Sequence, residues 1–228
     1  MKRFFCVVMS ALGVATMSGC LRREVRQTLY LAPSGVAWTV IESQVRSDEA
    51  TPVERLAEEH DFFLAASAGS HPVAQAFRRL GAEAVQTTWL RRDRPYSVAT
   101  EARFGDLRQL TLAILRDAHV AGDVSLERRG CLTSFAVRVD VAAEADAPDA
   151  AALDALVTDL DTYRLVLSEG RFVAADGFQI TDDGTTAIPD QAKMADEGHL
   201  TLFLAWADEA TKVTDPKTKQ RRQRRNDR

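Results

Sequence analysis

Hydrophobic and polar positions alternate with a period of two along much of the chain, and the interruptions mark where helices break the strands. Tyr30-Leu31-Ala32 leads into the turn cluster Pro33-Ser34-Gly35, and Val36 to Val45 resumes as a β-rich run containing Trp38, Val40 and Ile41. Two such runs around turn residues predict a hairpin. Thr51-Pro52-Val53-Glu54 then combines an N-cap, a proline at the first helical position and a capping-box glutamate, which predicts a helix to about Ala68. A second helix is expected from His71-Pro72 to near Gly81, with Val73, Ala76 and Phe77 inward. Glu83 to Arg91 and Tyr96 to Phe104 flank the polar turn Arg92-Asp93-Arg94-Pro95 and predict a second hairpin. Asp106, with Gln109 three residues on, opens a third helix through about Ala118 whose Leu107, Leu110, Ile114 and Leu115 share a face. Val124 to Arg128 and Cys131 to Val141 give a further strand pair around Arg129-Gly130.

The pattern changes after Val141. Residues 142–149 form a small acidic linker, followed by a helix expected from about Ala150 to Leu160. Tyr163 to Ser168, Arg171 to Ala175, Phe178 to Thr181 and Thr185 to Ile188 are punctuated by Glu169-Gly170, Asp176-Gly177 and Asp183-Gly184, a regularity that predicts a meander. A short helix is expected near Asp190 to Glu197, and Leu200 to Trp206, apolar at both parities, suits a central strand covered on both faces. The expected class is α+β: an antiparallel sheet built from successive β-hairpins, with interspersed helices packed on one side. Residues 20–208 are expected to form a single domain, with lobes 21–141 and 150–207 around the linker as a variant of that reading. Hydrophobic residues make up 46% of the chain and charged residues 27%, enough apolar material for a core.

Residues 1–19 follow a different logic. Met1-Lys2-Arg3 precedes an uncharged, mostly apolar run from Phe4 to Met17, then Ser18-Gly19-Cys20, with charge returning at Arg22, Arg23 and Glu24. This is the layout of a secretory signal, too short for the roughly 20 apolar residues of a membrane span. An ordinary signal cut after Ser18 and an uncleaved anchor are the competing readings, and the placement of Cys20 favours lipid over both. Met17-Ser18-Gly19-Cys20 resembles the lipobox of bacterial lipoproteins, with Met17 where leucine is most usual. The resemblance implies that residues 1–19 are removed and that Cys20 carries the lipid, palmitate included, becoming the mature N-terminus. Several acyl chains, at about 0.8 kcal/mol per buried methylene, make a near-permanent anchor. Leu21, where aspartate would signal retention in an inner membrane, implies the periplasmic face of the outer membrane in a two-membrane envelope.

Export reshapes the rest. With Cys6 in the signal and Cys20 lipidated, Cys131 has no internal disulfide partner, and its strand parity with Phe135, Val137 and Val139 predicts a buried, inert thiol. The net charge of −4 hides an asymmetry: residues 211–228 carry eight basic against two acidic residues, while Cys20 to Ala210 is net −12. The basic tail, 209–228, lacks apolar residues to pack and is expected to be disordered. Its Lys212, Lys217, Lys219, Arg221, Arg222, Arg224 and Arg225 suit an anionic surface, as does the cluster Arg91-Arg92-Asp93-Arg94 with Arg103. An exported protein does not meet nucleic acid, which excludes that partner.

No catalytic, cofactor or metal set emerges. His60, His71, His119 and His199 lack metal-ligand spacing, and Glu58-Glu59-His60-Asp61 reads as a solvated helix face. Asp182-Asp183-Gly184 lacks the alternating oxygen ligands and closing glutamate of a calcium loop and reads as a turn. Trp38, Trp89 and Trp206 fall in strands and read as core. The leading expectation is a non-catalytic envelope lipoprotein, membrane-bound through Cys20, that binds a protein, a lipid or the cell wall. The alternative is an envelope hydrolase, which a polar cleft gathering two or more of His60, Asp61, His71 and His199 would favour. A continuous apolar cavity between sheet and helices would favour lipid carriage instead.

Overall fold

The computed structural model describes residues 21–140, 162–190, 193, 195–196 and 199–208. The linker expected at 142–149, the helix expected at 150–160, Cys20 and the basic tail lie outside the described residues, as does the side chain of His199.

The protein is α+β, with two sheets and three helices among the described residues. Strands β1 (Leu21–Ala32) and β2 (Gly35–Ser47) form the first hairpin, turning at Gly35. Gly35 sits at a φ of 135°, and a Cβ there would lie 2.6 Å from the Phe104 carbonyl oxygen, so the turn requires glycine. Helix α1 (Pro52–Ser67) begins as the capping signal predicts, with the Thr51 hydroxyl accepting from the Glu54 N–H at 3.2 Å. Helix α2 (Pro72–Arg79) follows, then the hairpin of β3 (Ala84–Arg91) and β4 (Tyr96–Phe104). Helix α3 (Leu107–Asp117) is capped by Asp106, whose carboxylate accepts from the Gln109 N–H at 2.9 Å. Strands β5 (Asp123–Arg129) and β6 (Leu132–Asp140) pair next.

From residue 162 on, β7 (Tyr163–Leu167), β8 (Arg171–Asp176), β9 (Phe178–Ile180) and β10 (Thr186–Pro189) occupy the segments the turn residues delimit. They do not form the expected meander. The large sheet runs β3-β4-β2-β1-β7-β10-β9, and β8 crosses to pair with β12 (His199–Ala207) in the second sheet. Gly170 and Gly177, both at positive φ, form the turns on either side of β8, and Phe172 reaches the shared core, where its ring meets Trp206. The all-antiparallel expectation also fails at one place, because β7 lies parallel to β1. Buried Gln27 helps hold that pairing, donating to the Thr162 hydroxyl at 2.8 Å and accepting from the Trp38 indole N–H at 3.2 Å.

The second sheet is antiparallel, with β12 between β6 on one edge and β8 and β11 (Ala195–Asp196) on the other. Residues 195–196 were expected in a helix. They pair instead with His199 and Leu200, so their backbone groups are met by a ladder; the Lys193 N–H bonds the Asp190 carbonyl in a helical position, and residues 191–192, 194 and 197 lie outside the described residues. The central position of β12 matches its composition, although coverage is uneven. Leu200, Leu202 and Leu204 face the core while Thr201 on the opposite face is exposed. Strands from both sides of residues 142–149 share each sheet, β7 with β1 and β12 with β6.

Both sheets feed one main apolar cluster. Its members include Trp38, Phe77, Phe104 and Tyr163 from the large-sheet side and Phe135, Val137, Leu202 and Leu204 from the small sheet. A smaller cluster of Val45, Phe62, Ala66 and Val98, with Leu21, Trp89 and Tyr96 packed against it, lies under α1.

Candidate functional site

The two clusters are separated by a layer of buried polar side chains, built from three strands and one helix start. On β2, inward positions run Val36, Trp38, Val40 and Glu42, after which Gln44, at a φ of 55°, forms a bulge opposite Arg23. The extra residue restores Val45 and Ser47 to the inner face. On β4 the inward positions Val98, Thr100, Ala102 and Phe104 place one hydroxyl among apolar groups. His71 occupies the N-cap position of α2 without capping it, because its ring turns into the core.

Glu42 lies at the centre. Its Oε1 accepts from Arg23 Nη1 at 2.6 Å, and its Oε2 stands 3.5 Å from His71 Nε2. His71 Nε2 is 2.9 Å from the Thr100 hydroxyl. Glu42, His71 and Thr100 are each fully buried, and the Arg23 side chain retains 15% exposure. Burial pushes the Glu42 carboxyl above its usual range, against the opposing pull of the Arg23 cation and its hydrogen bond. Burial likewise lowers His71 to about 4, helped by the cations of Arg23 and Arg78, so the ring is neutral at pH 7. Glu42 Oε2 and His71 Nδ1 have no hydrogen-bond partner among the described residues.

A histidine beside a carboxylate is the raw material of acid-base chemistry. Here both are fully buried, between the two apolar clusters. The gathering of His60, Asp61 and His71 that would favour an enzyme is not found among the described side chains: His71 is enclosed, whereas His60 and Asp61 are exposed on α1. His119, at a φ of 57°, is an exposed residue just past the end of α3. Among the described residues no group of three or more His, Cys, Asp or Glu is placed to hold a metal, and the guanidinium of Arg23 already neutralises Glu42.

The end of the large sheet beside the smaller cluster is more open. Leu21 pairs with Ser47, Val45 with Tyr96 and Ser97 with Arg91, so the start of β1, the end of β2 and the β3–β4 turn lie together. Helix α1 is fastened there. Glu59, expected on a solvated face, is 2% exposed; its Oε1 accepts from the Ser47 N–H at 3.0 Å and its Oε2 pairs with Arg94 Nε. The Ser47 hydroxyl also bonds the Glu58 carboxylate. Phe63 stacks on Trp89 at 4.9 Å and approaches Tyr96 at 5.6 Å. Outside these rings Val53, Leu56 and Leu90 are 77%, 53% and 56% exposed.

Among the remaining candidates, Cys131 corrects an expectation. It is exposed, because β6 begins only at Leu132 and the cysteine falls in the turn after Gly130. Parity carries burial only while the strand lasts. Trp38 is core at 1% exposure, while Trp89 and Trp206 are half-buried and packed on aromatic rings. Asp183 forms the expected turn: hydrogen bonds from the Thr181 hydroxyl and from the Thr185 N–H and hydroxyl hold its carboxyl down at about 2. Sequence reasoning passed over Arg23, Glu42 and Thr100, and it placed Glu59 on a solvated face. The signal was present for Glu42 and Thr100, each a polar residue at the apolar parity of its strand.

No helix among the described residues is long and apolar enough to cross a membrane, which does not bear on strands. No family model matches the chain, and no curated protein matches it. Among solved structures, the NMR structure of the folded domain of the Mycobacterium tuberculosis protein LppM overlaps 90% of this chain and 97% of its own. The identity is 15% and the TM-score 0.36, a likeness too slight to bear on fold or function.

Proposed function

We propose that the protein is a cell-envelope lipoprotein, held to its membrane by lipid on Cys20, whose folded body is a non-catalytic module binding a protein, a lipid or the cell wall. The observation that carries this reading is Met17-Ser18-Gly19-Cys20 behind an uncharged apolar run, directly before Leu21, which pairs with Ser47 in the large sheet. The enclosure of Glu42 and His71 supports the non-catalytic half, since this carboxylate–imidazole pair faces no solvent. Leu21 in place of aspartate favours the periplasmic face of an outer membrane where the envelope has two membranes. The basic residues from Lys212 to Arg225 give the acidic body a cationic extension suited to anionic envelope surfaces.

Crosslinking in intact cells tests the reading, comparing the parent, Cys20→Ser and a chain ending at Ala210. The parent is expected in the membrane fraction with its partner captured. Cys20→Ser is expected to lose the membrane, and the shortened chain to lose anionic contacts only. A Cys20→Ser protein still firmly bound to membranes would refute the lipid anchor.

A further inference from the structure

From the lipoprotein reading above, we infer that the domain docks end-on against the bilayer that anchors it, through the α1 face and the β3–β4 turn. The anchor sets the geometry. Successive Cα atoms are about 3.8 Å apart, so Leu21 lies within roughly 4 Å of the acylated residue. Leu21 is not a free tail: it pairs with Ser47 in the sheet and packs on the cluster of Val45, Phe62, Ala66 and Val98. With strands about 4.8 Å apart, the ends of β2, β4 and β3 fall within roughly 15 Å of the anchor.

What those ends present suits a lipid interface. Leu56 and Phe63 are seven residues apart on α1 and share a face. Phe63 stacks on Trp89, and exposed Leu90 follows Trp89 in the chain. Half-buried Trp89 and Tyr96 sit edge to face beside them, amphipathic rings of the kind enriched at headgroup level. Exposed Arg91 and Arg92 follow Leu90 into the turn. Of the acids at this end, Asp48 is paired with Arg22 and Glu59 with Arg94, while Glu54, Asp61 and Asp93 are exposed beside the arginines. The surface therefore offers exposed leucines and aromatic rings within a border of mixed charge, and Leu56 and Leu90 enter the boundary between headgroups and acyl chains.

Spin labels on the full acylated protein test this. Leu56→Cys, Leu90→Cys and Ser34→Cys are made separately with Cys131→Ser and reconstituted in vesicles of phosphatidylcholine and phosphatidylglycerol. All three labelled side chains are exposed or lie in an exposed turn, so labelling leaves the core intact. Ser34 lies in the β1–β2 turn, roughly 40 Å from Leu21 along the strand, and serves as the distal reference. Dissolved oxygen is expected to relax labels 56 and 90 several-fold more than an aqueous nickel complex does, with the reverse at 34. Labels 56 and 90 as water-accessible as 34, on protein whose Cys20 is acylated by mass spectrometry, would overturn the docking and leave the lipoprotein reading standing. An unmodified Cys20 would overturn both.

Discussion

Acid should unfold this protein partly through one buried imidazole. In the folded state His71 is held at about 4 against an ordinary 6.5, chiefly by burial. The folded pKa is depressed, so between these values the unfolded chain binds a proton that the folded chain refuses, and stability falls as pH falls through that window. At 1.36 kcal/mol per unit, the loss between pH 7 and pH 4 is about 3 kcal/mol, a large part of the 5 to 15 kcal/mol typical of a domain. Glu42 acts in the opposite direction, because its raised pKa makes the folded state the better proton acceptor at low pH. The parent alone therefore mixes two terms. His71→Gln separates them, since glutamine still donates toward Thr100 but does not titrate, and the Arg23–Glu42 pair stays in both proteins. Urea unfolding in non-ionic detergent, followed by the fluorescence of Trp38 in the core, should show the parent losing about 3 kcal/mol more than His71→Gln from pH 7 to pH 4. Parallel stability curves for the two proteins would refute the account.

Three further outcomes follow from the same structure. Arg23→Met leaves the Glu42 carboxylate buried without its cation and should cost about 3 to 5 kcal/mol, more at pH 8 than at pH 5, where a proton relieves the burial; equal losses at both pH values in urea melts would contradict this. Gly170→Ala should destabilise by about 2 to 4 kcal/mol, since φ is 84° there and a Cβ would fall 1.9 Å from the Ala207 carbonyl oxygen; thermal melts are the check. Cys131 in the native protein should react with a maleimide at the rate of a small-molecule thiol, and protection until unfolding would show that the turn is covered.

Local signals were legible in the sequence and long-range ones were not. Thr51 and Asp106 announce α1 and α3 because a cap and its partner lie three residues apart, and the structure shows both bonds. Pro33 to Gly35 and Arg92 to Pro95 mark hairpin turns for the same reason. The parallel β1–β7 pairing and the passage of β8 to the other sheet depend on residues far apart in the chain, and no turn residue encodes the choice between two sheet edges. Cys131 was misplaced by extending an alternation one residue past the strand end. Glu42 was visible as a carboxylate at the parity of Trp38 and Val40, a position whose cost demands partners. Its partners Arg23 and His71 come from a neighbouring strand and a helix start, so a single sequence does not select them from the many basic residues available.

The placement of this layer between two apolar clusters suggests what its cost secures. Apolar contacts alone discriminate weakly between neighbouring registers, whereas a slip of one residue between β1 and β2 would turn Glu42 away from Arg23 and leave a buried charge bare. Replacing the whole set, with Arg23→Met, Glu42→Leu and His71→Phe together, removes the charges of this layer at once, and such exchanges are often neutral or stabilising by about 1 to 4 kcal/mol. The triple variant should therefore melt no lower than the parent. If the layer pins the register, amide resonances of β1 and β2 in the variant should broaden or double in NMR spectra while those of β5, β6 and β12 stay sharp. A variant as uniform as the parent across both sheets would show that packing and the Gln44 bulge suffice, and that the charges are tolerated, not required.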